Sequence, residues 1–300
     1  WGNAYAGGIV RGAFYPVSFG AIDTSYNGSG SNHDIVITKF DSSGSQLIYS
    51  TFLGGVQDDE PMSLITDSLG QLYILGHSLS ADFPVDSNGF DTTHNGNWDI
   101  VVSKFNDSGT VLLGSTFLGG FEDDAFNNSS STIWNSSNFL NYNYGDYCRG
   151  EVNLDQHGNI YIVSNTKSSN FPVVSPAIQD TLRGLQDAVI SSFSSDLRRL
   201  RFSTYWGGND YDAAYSIHVS DQNRVYVGGG TMSRNLNAFP GGFQANFVDT
   251  VDGFVFEIDT LGTQILHGTF VGTPNYDQVF LIQTDQLGNV FVAGQTEGNF

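Results

Sequence analysis

A seven-residue run that occurs four times sets the architecture of this 300-residue chain. Asp34-Ile-Val-Ile-Thr-Lys-Phe40 comes back as Asp99-Ile-Val-Val-Ser-Lys-Phe105 and as Asp187-Ala-Val-Ile-Ser-Ser-Phe193, and then loosely as Asp252-Gly-Phe-Val-Phe-Glu-Ile258. The spacings are 65, 88 and 65 residues. Self-similarity at such a period marks stacked units, each too small to bury its apolar face alone. One unit is therefore about 65 residues, and 88 against 65 leaves an insertion of 23 residues at 125–147, rich in Asn, Ser and Tyr.

Three further landmarks keep the same period. Ser50-Thr-Phe-Leu-Gly-Gly55 recurs as Ser115-Thr-Phe-Leu-Gly-Gly120 and Ser203-Thr-Tyr-Trp-Gly-Gly208, and degenerates to Gly268-Thr-Phe-Val-Gly-Thr273. A Gly-x-x-Tyr step runs from Gly2, Gly70 and Gly158, and an aromatic-proline step falls at Tyr15-Pro16, Phe83-Pro84, Phe171-Pro172 and Phe239-Pro240. In the clearest unit, four short runs at 62–66, 72–76, 99–105 and 111–118 are rich in the residues that suit a pleated sheet. Asp67-Ser-Leu-Gly70 and Asn106-Asp-Ser-Gly109 join neighbouring runs as tight turns. Glycine is frequent at 36 residues, and charged residues are only 14% of the chain, against about a quarter in an ordinary domain. No helical periodicity is present. Four short antiparallel strands at a fixed period describe an all-β chain of β-propeller blades. The repeats run 34–98, 99–186 (with the 125–147 insert), 187–251 and 252–300, after a partial repeat at 1–33, all in one propeller segment.

Taken together, Asp-x-x-Val-x-Lys-Phe, Ser-Thr-Phe-Leu-Gly-Gly-x-x-Asp-Asp, Asp-x-x-Gly-x-x-Tyr and Phe-Pro resemble the SBBP-type β-propeller repeat family. The four landmarks cover nearly the whole chain outside the insert. The resemblance implies a propeller from a large secreted or cell-surface bacterial protein, of the kind common in Bacteroidetes. Counting predicted strands from a second-position strand at residues 4–8 to a fifth first-position strand at 279–284 gives four blades and part of a fifth. The expectation is an incomplete ring, a fragment of a larger one. The chain opens on Trp1 with no signal peptide in view, and is expected to be a piece of an exported protein.

With strands alternating in direction, the loops after the second and fourth strands of each blade share one face. That face collects Asp59, Asp124, Asp212 and Asp277, one per repeat, together with Asp34, Asp99, Asp187 and Asp252 at the start of the third strand. An Asp at a fixed repeat position most often binds backbone N–H groups of its own turn. The sharper reading is a hard-cation site, Ca²⁺ above all, at Asp59, Asp124, Asp212 and Asp277; otherwise no cofactor is expected. A catalytic carboxylate pair should occur once in a chain, and these acids recur with the repeat. The aromatic-proline steps are expected to plug the space between blades. Trp134, Phe139, Tyr142, Tyr144 and Tyr147 interrupt the repeat and are the candidate ligand-binding residues, because Tyr and Trp join large contact area to a polar tip.

Other chemistry is sparse. The six histidines are scattered, and the single cysteine, Cys148, excludes an internal disulfide and is expected to exclude a cysteine-based zinc site. Cys148 with His157 is a conceivable thiol–imidazole pair that nothing in sequence orients. A net charge of −20 opposes a phosphate-binding surface, and no run of about 18 apolar residues exists to insert in a membrane. The expectation is a non-catalytic, extracellular or cell-surface scaffold that offers its loop-rich face to a protein or glycan. An accessory carbohydrate-binding propeller of a secreted enzyme is the first alternative, and a hydrolase or lyase acting at that face the second.

Overall fold

A computed structural model describes residues 2–127, 140, 146–248 and 250–299. Among them every regular element is a β-strand, and no helix is long and apolar enough to cross a membrane. The first sheet holds β1 (Ala4–Val10), β2 (Asp34–Phe40) and β3 (Leu47–Leu53). A four-stranded sheet follows, of β4 (Asp59–Thr66), β5 (Leu72–Ser78), β6 (Asp99–Phe105) and β7 (Leu112–Leu118). A third contains β8 (Glu151–Leu154), β9 (Ile160–Thr166), β10 (Asp187–Phe193) and β11 (Leu200–Trp206). A fourth contains β12 (Asp212–Val219), β13 (Val225–Thr231), β14 (Asp252–Ile258) and β15 (Ile265–Val271). The last pairs β16 (Asp277–Thr284) with β17 (Val290–Thr296). All these ladders are antiparallel between chain neighbours, joined by tight turns or by long loops such as the one after the second strand of each four-stranded sheet. Three sheets thus have four strands, and they are flanked by one of three and one of two. Sheets and sequence repeats are out of phase: a repeat counted from Asp34 supplies the last two strands of one sheet and the first two of the next.

The first strand of each later sheet begins earlier than its apolar run. In β4 it starts at Asp59, opposite Ser78, and a bulge at Met62 resets the register between Pro61 and Ser63. The same bulge falls at Tyr215 in β12 and Phe280 in β16. The bulge hides the first three residues from a period-2 reading. It also places the insert. In the third sheet, Asp124 bridges Thr166 and the Ala125 amide donates to Asn165 O at 2.8 Å, whereas regular pairing resumes only at Glu151 opposite Val163. The extra residues enter where the other sheets already loop out one residue, so the ladder survives on both sides.

The core lies between sheets. One cluster joins Tyr161, Ile190, Phe202 and Trp206 to Ile217, Val227, Phe254 and Phe270 across the third and fourth sheets. Others fill the second interval with Tyr73, Val102, Ile160 and Phe193, and the first with Ile37, Tyr49, Leu72 and Phe117. Of the aromatic-proline residues, Phe83, Phe171 and Phe239 belong to this filling. Tyr15 meets Phe52 with ring centroids 6.2 Å apart, Phe83 meets Phe117 at 6.0 Å, Phe171 meets Tyr205 at 6.0 Å and Phe239 meets Phe270 at 5.0 Å. The first strands of successive sheets, β4, β8, β12 and β16, touch one another in series.

Candidate functional site

Two kinds of polar group meet at the loop-rich end, one repeated and one unique. The repeated group is a carboxylate clasp. Asp124 Oδ2 accepts from the Gly120 amide at 2.7 Å and from Ser168 Oγ at 3.1 Å, and Oδ1 accepts from Thr166 Oγ1. Asp59 takes the same bonds from Gly55 (2.8 Å), Ser80 (3.0 Å) and Ser78. Asp212 takes them from Gly208 (2.7 Å), Ser233 (2.7 Å) and Thr231. The same serine hydroxyls also accept from amides of the incoming loop: Gln57 at 2.9 Å, Glu122 at 2.9 Å and Asp210 at 3.0 Å. Each loop leading into a sheet is thereby tied to the long loop that follows that sheet's second strand.

The second Asp series stands beside the first. Asp34 Oδ2 accepts from the Asn27 amide at 2.7 Å, Asp99 from Asn95 at 2.6 Å, Asp187 from Arg183 at 3.0 Å and Asp252 from Val248 at 2.7 Å. The two series face each other across the first glycine of Gly-Gly. A β-carbon on Gly119 would lie 2.3 Å from Asp99 Oδ1 and 2.8 Å from Asp124 Oδ2. Gly54 and Gly207 are hemmed in by the corresponding pairs Asp34–Asp59 and Asp187–Asp212. Burial disfavours the ionised form of each, and at Asp59, Asp124 and Asp212 the facing Asp34, Asp99 and Asp187 add to it. Asp124 is pushed up to about 8, Asp59 and Asp212 to about 7, and Asp99 and Asp187 to about 6. Asp277 differs in detail, since both the amide (2.5 Å) and the hydroxyl (2.7 Å) of Thr273 donate to its Oδ2. N–H and O–H donors thus occupy at least one oxygen in each of the four residues singled out for a cation. These are the bonds that a structural role asks of an Asp at a fixed repeat position.

The unique group gathers around Glu60 on β4. Its neighbour His77 lies directly opposite on β5. Glu60 Oε1 contacts His33 Nε2 at 2.9 Å, and the other ring nitrogen of His33 lies 2.8 Å from Asp58 Oδ1. Glu60 Oε2 accepts from Tyr147 OH at 2.9 Å and from Cys148 Sγ at 3.6 Å, and His77 Nε2 stands 3.7 Å away. Burial raises the carboxyl of Glu60, but His77, Tyr147 and His33 more than offset it and hold it down at about 2. Burial beside that anion drives the Cys148 thiol up to about 12 and raises the Tyr147 hydroxyl. Such a thiol is not an activated nucleophile. His77 is fully buried, stacked on Trp98 with centroids 4.0 Å apart, and neither ring nitrogen has a hydrogen-bond partner among the described residues. Glu60, His77 and Cys148 each offer one donor atom within 4.8 Å of the others.

The insert supplies half of this group. Tyr147, the one residue of the sequence-derived aromatic set among the described residues, turns inward to Glu60 and packs edge-on to Phe126 at 6.3 Å. Trp134, Phe139, Tyr142 and Tyr144 lie outside the described residues. Leu140 is buried, and its carbonyl accepts from Asn127 Nδ2 (3.0 Å), Tyr215 OH (3.1 Å) and Gln278 Nε2 (3.2 Å). Those donors come from the first-strand regions of three different sheets, so Leu140 is tied to all three. Cys148 has Glu60, Tyr147 and His77 as neighbours, whereas His157 belongs to the turn whose amides donate to Asp155.

Glu60, His77 and His33 carry no local motif, but repeat spacing marks them. The positions equivalent to Glu60 hold Ala125, Ala213 and Gln278; those equivalent to His77 hold Asn165, Gly230 and Gln295; those equivalent to His33 hold Trp98, Gln186 and Val251. No protein-family model matches the chain, and no curated protein matches it.

Proposed function

We propose that the sheets are blades of an SBBP-type β-propeller and that the chain is a non-catalytic scaffold of an exported bacterial protein, presenting its loop-rich end to a protein or glycan. The observation that carries this reading is the carboxylate clasp. The acids that recur on that face are engaged with donors at junction after junction, and their raised affinity for protons follows from burial rather than from a reacting group. The serial contact of β4, β8, β12 and β16 supports strands gathered about an axis. The blade number belongs to this proposal, with three four-stranded sheets as its core.

A glycan is favoured by one cleft. Between the third and fourth sheets a cavity of about 330 Å³ is lined by Gln179, Arg183, Trp206, Asn235, Asn237 and His267. Amide and guanidinium donors set against an apolar wall that includes Trp206 and Phe239 suit a sugar, whose faces are apolar and whose edges are hydroxyls. The test is affinity electrophoresis and calorimetry of the purified chain against a panel of polysaccharides, with reducing-end release followed in parallel. The reading predicts saturable binding without turnover, weakened tenfold or more in Asn235→Ala/Asn237→Ala. Release of new reducing ends by the wild-type chain contradicts it.

A further inference from the structure

We propose that Glu60, His77 and Cys148 form a binding site for one divalent ion of the zinc class, built on β4 and β5 and completed by Cys148 just after the insert. The proposal stands independently of the scaffold reading. A carboxylate, an imidazole and a thiolate are the donor types such an ion takes, and a thiolate excludes the hard cations magnesium and calcium as preferred guests.

Geometry supports it. Bond lengths to zinc of about 2.0–2.3 Å put the donor atoms of a tetrahedral site about 3.3–3.7 Å apart. Glu60 Oε2 lies 3.7 Å from His77 Nε2 and 3.6 Å from Cys148 Sγ, and all three donors fall within 4.8 Å of one another. Both separations from Glu60 already fall in the tetrahedral range.

The second observation is His77 itself. A fully buried imidazole with no hydrogen-bond partner at either nitrogen among the described residues is costly; Nε2 has only the Glu60 carboxylate 3.7 Å away, and the ring is held in place by Trp98 and by the strand pairing of β5. A metal bond at Nε2 satisfies it. Around the donors stands a supporting layer of the kind metal sites use. His33 bridges Asp58 and the far oxygen of Glu60, and Tyr147 donates to the near one. Three protein donors leave a fourth position for water or an incoming group. Cys148 and Tyr147 are half-buried and give the ion its way in. Neither Glu60 nor His77 recurs at the equivalent positions of the other repeats, so among the described residues the site is unique rather than one per sheet.

The experiment is titration of the full chain, purified in chelator and reduced, first with Co²⁺ and then with Zn²⁺ alone. The proposal predicts one equivalent of Co²⁺ with a thiolate-to-cobalt charge-transfer band in the near ultraviolet and visible bands of tetrahedral intensity, displaced by Zn²⁺. Cys148→Ser, nearly the same size, abolishes the charge-transfer band while circular dichroism stays unchanged. His77→Gln lowers Zn²⁺ affinity at least tenfold, and His33→Gln lowers it by a smaller factor. A folded wild-type chain that gives no such band overturns the proposal. So does Zn²⁺ affinity that is the same in Cys148→Ser as in the wild type, which would place the ion on scattered surface histidines.

Discussion

Thr273 and Gly298 have exchanged the roles that Gly208 and Ser233 play one repeat earlier. In the fourth sheet Ser233 Oγ donates to Asp212 across the α-carbon of Gly208. At the last junction the hydroxyl comes from Thr273 and reaches Asp277 at 2.7 Å, and a β-carbon at Gly298 would sit 2.0 Å from that oxygen. At this place in the clasp there is room for only one hydroxyl. Thr273→Gly is therefore expected to destabilise the chain by about 1–2 kcal/mol, the cost of a buried carboxylate that loses a donor. Gly298→Ser alone is also destabilising, because it crowds Thr273. The double variant should recover most of the loss. Thermal melts of the four proteins give the coupling directly, and additive losses would refute the exchange.

Gly119 makes the same point by sterics. Its missing side chain leaves room for Asp99 and Asp124. Gly119→Ala is expected to cost about 1–3 kcal/mol, as overpacking does. Gly8 on β1 has nothing within 4 Å of its absent β-carbon. Gly8→Ala is the control and should shift the melting temperature little. Equal shifts in the two variants would show that the pinch between the carboxylates is not real.

The clasps also give stability an unusual dependence on pH. Carboxyl groups raised to about 6–8 in the folded chain bind protons there that the unfolded chain has already released. Their contribution is full below the ordinary carboxylate range near pH 4 and is lost as pH climbs through 6 to 8. Glu60 acts in the opposite sense, but only as pH falls toward about 2. The melting temperature should fall by about 5 °C or more between pH 5 and pH 9. Asp124→Asn, neutral at every pH, should flatten that slope. A melting temperature that rises over the same range would contradict the burial of these groups in the protonated form.

Much of this was legible in the repeat. The strand cores of β2, β6, β10 and β14, the tight turns and the aromatic-proline plugs all follow from residues that recur at 65-residue intervals, because the same packing problem is solved at each interface. The strand starts at Asp59, Asp212 and Asp277 were not legible. A bulge breaks the alternation there, and the ladder begins on a polar residue. The repeat also pointed to Asp59 and its equivalents, though it could not say that serine and threonine hydroxyls from the next strand would occupy them. The group around Glu60 draws on β4, β5, the loop before β4 and the insert, so no local spacing announces it. Its signal is negative: Glu60 and His77 stand where other repeats carry alanine, glycine or amides.

The central claim is that the recurring aspartates hold the fold through protons and protein donors rather than through a bound hard cation. Calorimetric melting at pH 8, in chelator and then in millimolar Ca²⁺, tests it most directly, because a ligand of the folded state alone must raise its melting temperature. The account predicts the same transition in both solutions. A rise of several degrees in Ca²⁺, lost in Asp124→Asn, would contradict it and return Asp59, Asp124, Asp212 and Asp277 to the status of cation ligands.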